Sequence, residues 1–207
     1  MNQPIAPDAF TAQEPLVLRQ DCAGITTLTL NRPKQYNALS SAVLTELQNN
    51  LDAIAQDSTV RVVVIAGSGS AFCAGHDLKE MRGQYELGAT QALFDQCSGV
   101  MQTLIALPQP VIAKVHGLAT AAGCQLVAQC DLAIASSNAT FATSGINVGL
   151  FCSTPSVALS RNLARKEAMQ MLLTGEFIDA KTAKEYGLVN RVVAPEKLDD
   201  ELAKMIR

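Results

Sequence analysis

The sequence lacks tryptophan altogether, has 4% aromatic residues, and contains only two histidines, His76 and His116. Its six cysteines, Cys22, Cys73, Cys97, Cys124, Cys130 and Cys152, form no C-x-x-C pair. With so few histidines and no paired cysteines, no zinc-ligand pattern can be written, and no metal is expected. The cysteines read instead as reduced thiols, several of them buried as small hydrophobes, which suits a cytoplasmic protein. No apolar run approaches the roughly 18–20 residues needed to span a bilayer. Residues 1–15 carry no cationic stretch followed by an apolar one, so they read as a flexible polar leader and not as a signal or transit peptide. Charge of either sign is also scarce. Charged residues make up 17% and the net charge is −3. That balance supplies no electrostatic footprint for nucleic acid and no polybasic membrane patch.

What is present is apolar patterning. Hydrophobic residues reach 48% of 207 positions, enough for one substantial core. Val43, Leu44, Leu47, Leu51 and Ile54 recur at helical spacing behind a Ser40 or Ser41 cap. Val60–Ala66 is a continuous apolar run that reads as a buried strand, and Val111–Val115 reads as another strand. Helical patterns recur over Gln91–Leu107, Thr120–Gln129, Pro155–Leu163, Arg165–Leu173 and Asp179–Tyr186. Strand-like segments lie at Leu132–Ala135, Thr140–Thr143 and Leu188–Val193. The order predicts an α/β fold of successive ββα units. One core is expected over residues 16–195, with 196–207 the shortened start of a C-terminal helical region.

Two segments run from a strand end through small residues into a helix start: Cys73-Ala74-Gly75-His76-Asp77 and Gly117 through Cys124. A helix start leaves backbone N–H groups unpaired, and small residues let a ligand reach them. Two such groups facing one carbonyl would form an oxyanion hole. Taken alone, small-residue turns of this kind are more often packing solutions.

Several motifs, in order, carry a resemblance. Asn31-Arg32-Pro33 precedes Asn37-Ala38-Leu39. Ala71-Phe72-Cys73-Ala74-Gly75-His76-Asp77-Leu78-Lys79 follows. Then come Gly117 to Gly123-Cys124, Cys130-Asp131, Leu173-Thr174-Gly175, and Ala183 with Gly187-Leu188-Val189. From about Leu16 to Arg207 the chain resembles the enoyl-CoA hydratase/isomerase (crotonase) superfamily. Within it, the segments around His76 and Phe141–Cys152 are similar to the enoyl-CoA hydratase domain-containing subgroup. The resemblance implies a crotonase-like spiral of ββα units, homo-trimers or hexamers, and an acyl-CoA thioester as partner. Coenzyme A is then part of the substrate, and no separate cofactor is expected. It also implies a thioester oxygen held by the backbone N–H groups of His76 and Ala122. Arg32, Lys34, Ala38, Ala74, His76, Asp77, Leu78, Lys79 and Ala122 match positions that line the coenzyme A site. Arginine and lysine there suit phosphates.

The departures bear on catalysis. Hydratases of the family use two glutamates, and the matching positions hold Gln125 and Gly145. Neither is a general base at neutral pH. Gln125 keeps the ability to orient water or a substrate group. Ala121 and Ala122 stand where glycines are usual. Two readings remain open: an enzyme of acyl-CoA metabolism acting through enolate stabilisation, and a catalytically silent acyl-CoA binder or assembly partner.

Overall fold

The computed structural model describes residues 14–84 and 86–207. Residues 1–13 of the expected leader lie outside the described residues. The chain opens with a hairpin, β1 (Val17–Cys22) antiparallel to β2 (Ile25–Leu30). Its turn is tighter than the four residues Asp21–Gly24 predict. Cys22 pairs with Ile25, which leaves only Ala23 and Gly24 to turn, both at positive φ. Two left-handed central residues match the twist of the flanking strands.

α1 (Ser41–Ala55) follows, and the spacing of its apolar residues decides its placement. Val43, Leu44, Leu47, Leu51 and Ile54 form its buried stripe. The Ser40 hydroxyl accepts from the Val43 N–H, so Ser40 is the cap. From here the chain repeats one theme. A strand enters a six-stranded sheet, a sharp turn leads to a three-residue strand of a second sheet, and a helix returns. The first unit is β3 (Val62–Gly67), β4 (Ala71–Cys73), α2 (Leu78–Gly83) and α3 (Leu87–Ala106). The second is β5 (Val111–Val115), β6 (Leu118–Thr120) and α4 (Ala122–Gln129). The third is β7 (Leu132–Ser136), β8 (Thr140–Ala142), α5 (Ser153–Asn162) and α6 (Arg165–Thr174). The predicted ββα succession is therefore the observed one.

β9 (Ile178–Asp179), α7 (Ala180–Glu185), β10 (Arg191–Val193) and α8 (Leu198–Ile206) complete the chain. The large sheet runs β1-β2-β3-β5-β7-β10, parallel from β2 onward, and the small one runs β4-β6-β8-β9. β3 and β5 are covered by elements on both faces, which is why they are almost wholly apolar, Lys114 in β5 being the exception. Asp131 accepts from the Val111 N–H at 2.7 Å and fixes where β5 begins. The His116 Nε2–H donates to the Gly69 carbonyl, 2.9 Å away, and so ties the β5–β6 turn to the β3–β4 turn.

All six cysteines are free, five of them buried. Burial pushes the Cys73, Cys97 and Cys124 thiols up to about 12, so these three are protonated and unreactive at neutral pH. Among the described residues no helix is long and apolar enough to cross a membrane, and no cluster of His, Cys, Asp or Glu could hold a metal.

Candidate functional site

Parallel pairing in the small sheet brings the ends of β4 and β6 side by side, and the site is built on those ends. Beyond β4 the chain is gripped by the loop before α1. The Ala74 N–H donates to the Tyr36 carbonyl at 2.9 Å. The Leu39 N–H donates to the Gly75 carbonyl at 2.8 Å, and the Asp77 N–H donates to the Leu39 carbonyl at 3.2 Å. These bonds pair Leu39 with His76 as an isolated parallel bridge. In such a bridge Gly75 and Asp77 turn their bonding groups toward Leu39, so the N–H of His76 faces the opposite side.

On that opposite side lies the start of α4. A Cβ added to Gly75, which has φ +89°, would stand 2.9 Å from the Ala121 Cβ and 3.1 Å from the Ala122 nitrogen. Glycine is required at position 75 by backbone conformation and by this close approach. Ala122 is the first residue of α4, whose N–H groups point out of the helix. Among the described residues neither the His76 N–H nor the Ala122 N–H meets an acceptor. Ala121, just before the helix, has φ +51° and ψ −121°, a conformation suited to glycine. Holding alanine there costs about 1–3 kcal/mol.

Both residues line one cavity of about 410 Å³. Its walls combine Ala74, His76, Ala121 and Ala122 with the apolar side chains of Leu78, Met81, Phe94, Val148, Phe151 and Pro155. Ser144, Ser153 and Thr154 supply hydroxyls. Among the described residues no carboxylate and no lysine or arginine lines it. His76 and Cys152 are its titratable side chains. The His76 ring packs edge-on against Phe94, with centroids 4.9 Å apart. Neither ring nitrogen has a hydrogen-bond partner, and both are shut off from solvent. The Leu39 carbonyl lies near the ring without meeting it in hydrogen-bonding geometry. Burial lowers the imidazole pKa, against smaller opposing pulls from that carbonyl and from Glu80, so the ring is neutral at pH 7. An unpartnered buried polar group costs about 1–3 kcal/mol.

The other expected residues fall in different places. Leu78 and Ala74 line the cavity. Arg32 does not: its guanidinium donates to Asp77 at 3.0 Å and to the Ala38 carbonyl at 2.9 Å. Asp77 caps α2, accepting from the N–H groups of Lys79 and Glu80. Burial pushes Asp77 up, but those two N–H groups and Arg32 together hold it below the usual carboxylate range. Lys34 and Lys79 are exposed on the two segments that the Leu39–His76 bridge joins. Gln125 is buried on α4, its Oε1 has no partner, and it does not border the cavity. Gly145 does border it. A Cβ there would sit 2.5 Å from the Leu150 carbonyl oxygen and 2.7 Å from the Cys152 sulfur.

Sequence reasoning missed the apolar part of the lining, Phe94 from α3 with Val148, Leu150 and Phe151. One signal was available: Val148, Leu150 and Phe151 are large apolar residues in a glycine-punctuated stretch, and all three stay exposed.

Residues 20–207 match the family model described as Enoyl-CoA hydratase/isomerase. The chain belongs to the enoyl-CoA hydratase/isomerase family. Within it, a relative from Xenopus laevis, "Enoyl-CoA hydratase domain-containing protein 3, mitochondrial", is 49% identical over 187 residues, covering 90% of this chain and 64% of that protein. The first curated relatives are spanned over 61–66% of their length. An enoyl-CoA hydratase structure from Mycobacterium smegmatis superposes with a TM-score of 0.92 at 60% identity, over 93% of this chain and 76% of that one. The human enoyl coenzyme A hydratase domain-containing protein 3 superposes with a TM-score of 0.89 at 45% identity, over 93% of this chain and 77% of that one. The spiral of ββα units is thus the crotonase fold of this family.

Proposed function

We propose that this chain binds acyl-CoA thioesters and acts on them by stabilising an enolate. The thioester oxygen lies between the N–H groups of His76 and Ala122, and the acyl chain fills the apolar cavity. One observation carries the reading: His76 and Ala122, two residues with unpaired backbone N–H groups brought close at Gly75, line the same apolar cavity. Fixed amide donors of this kind contribute about 3 kcal/mol each to a developing oxyanion. The coenzyme A moiety would run along the edge formed by Ala38 and residues 74–79. Lys34 and Lys79 are the free cations there, whereas Arg32 acts by bracing Asp77 and the Ala38 carbonyl. Isothermal calorimetry with butanoyl-CoA and with coenzyme A tests the reading. Saturable binding of the thioester supports it, and no heat with either ligand refutes it.

The silent-binder reading draws support from the cavity itself, which presents no carboxylate among the described residues. The two glutamates of a hydratase would have to stand at Gln125 and Gly145, and the second position is closed. We expect the double variant Gln125→Glu, Gly145→Glu to show no more crotonyl-CoA hydration than the parent, followed by loss of the ultraviolet absorbance of the conjugated thioester. Forcing a side chain against Leu150 and Cys152 should also cost about 1–3 kcal/mol in a urea melt. A gain of hydratase turnover would show that the 145–152 segment yields.

Assembly as a homo-trimer or hexamer belongs to the same reading. It is supported by apolar side chains left on the surface at Ile146, Val148, Phe151, Leu173 and Phe177. A cytoplasmic location is supported by the six free thiols.

A further inference from the structure

One side chain in the cavity wall has no structural partner. His76 enters the cavity lining, yet its ring nitrogens bond to nothing, and its neighbour Phe94 offers only an edge contact. A buried imidazole is normally anchored through at least one nitrogen. Here the two polar groups closest in sequence are already committed elsewhere. Asp77 is held by Arg32 and by the first N–H groups of α2, and Glu80 accepts from the Ser41 N–H. The imidazole is therefore left free beside the amide that its own residue contributes.

We propose that the His76 imidazole is the base that removes the proton from the carbon next to the thioester carbonyl. This rests on the acyl-CoA reading above and assigns the proton-transfer group that the missing glutamates leave open. In the resting structure the nitrogens are sealed, so the ring turns about its side-chain torsions to bring one into the cavity it already borders. The neutral nitrogen takes the proton. The C–H electron pair becomes the C=C bond of the enolate, and the carbonyl π pair moves to oxygen, between the N–H groups of His76 and Ala122. In heavy water the imidazolium gives up that proton to solvent in exchange for a deuteron, delivers the deuteron to the same carbon and is again neutral. No oxidant, metal or co-reactant enters, and the net event in heavy water is exchange of the α-hydrogen.

The groups facing the ring are Phe94 from α3, the Leu39 carbonyl from the loop before α1, Glu80 from α2, the Cys152 thiol of the same cavity, and the Asp77–Arg32 pair one residue on. Burial keeps the ring in its basic form at neutral pH. Exchange therefore rises as pH climbs through the lowered histidine pKa and is level above it.

Butanoyl-CoA incubated in heavy water with the protein, read by proton NMR at the α-carbon, tests the assignment. The native protein should exchange this position. His76→Gln should lower the rate by about 10²–10⁴-fold. The chain has only two histidines, so the ring titration of His76 can be followed directly by NMR, and its midpoint should match that of the exchange profile. This second readout needs no variant to fold. Binding without exchange, mismatched midpoints, or exchange that His76→Gln leaves intact overturns the base assignment and spares the acyl-CoA reading. Loss of exchange in Cys152→Ser but not in His76→Gln overturns it too. Absence of butanoyl-CoA binding overturns both.

Discussion

Replacing Gly123 with alanine should unfold the centre of the molecule. The added Cβ would lie 2.1 Å from the Cys73 carbonyl oxygen and 2.7 Å from its carbon, with the Cys73 Cβ at 2.9 Å. The first two are main-chain atoms of β4, held in the small sheet by pairing with β6, so they cannot swing away as a flexible side chain would. α4 would have to lift off β4, and α4 is buried along nearly its whole length. Overpacking of this kind costs at least about 3 kcal/mol. For a chain of this size the melting temperature should fall by roughly 6–12 °C or more. The same contact sets the spacing between the His76 and Ala122 amides, so any folded remainder should bind acyl-CoA poorly. A melt within about 2 °C of the parent would show that α4 and β4 are not locked together at Gly123.

The second large effect is expected at Asn37, 1% exposed and at φ +55°. Its Oδ1 accepts from the Arg32 N–H at 2.9 Å, and its Nδ2 donates to the carbonyls of Ser68 at 2.8 Å and Ala71 at 2.7 Å. One side chain thus ties the loop before α1 to both ends of the β3–β4 turn. Asn37→Ala removes all three bonds, leaves buried backbone groups unpaired, and places alanine in a left-handed conformation that asparagine tolerates better. The cost should be about 3–5 kcal/mol in a urea titration. Because this loop grips Ala74 and His76, small displacements reach the site. Butanoyl-CoA affinity should drop even at temperatures where the variant is fully folded. Unchanged affinity in a destabilised variant would show that the loop supports the fold without setting the site.

The two positions also show what the sequence could and could not disclose. The ββα order was legible because α1 carries strong periodicity, β3 is an apolar run and β5 is apolar apart from Lys114. β4 and β6 were read as small-residue loops, since three residues are too few for alternation to register. The small sheet they form nevertheless sets the site. The two small-residue turns were legible as candidate amide donors, whereas their closeness depends on Gly75 and Gly123 packing against backbone from another unit. Arg32 was assigned to the coenzyme A site by its place in a family motif, with its charge suiting phosphate. Its partner Asp77 lies 45 residues away, and no local pattern reveals such a pairing. Phe94 and Phe151 were hidden for a similar reason: they reach the cavity from opposite sides, and apolar residues on a helix or loop read as core or surface until the fold assembles them. Gln125 was expected to be polar and functional. It is buried on α4 away from the cavity wall, with its oxygen unpaired, and the structure supplies no physical account of that cost.

The account turns on the two amides at His76 and Ala122. Butanoyl-CoA carrying ¹³C at the thioester carbonyl, measured by infrared difference spectroscopy free and at saturation, reads them directly. Two aligned N–H donors draw electron density toward the oxygen and weaken the C=O bond. The carbonyl stretch should therefore move to lower frequency on binding. A stretch unchanged from its value in water, with calorimetry showing the site saturated, would contradict an oxyanion hole at these residues.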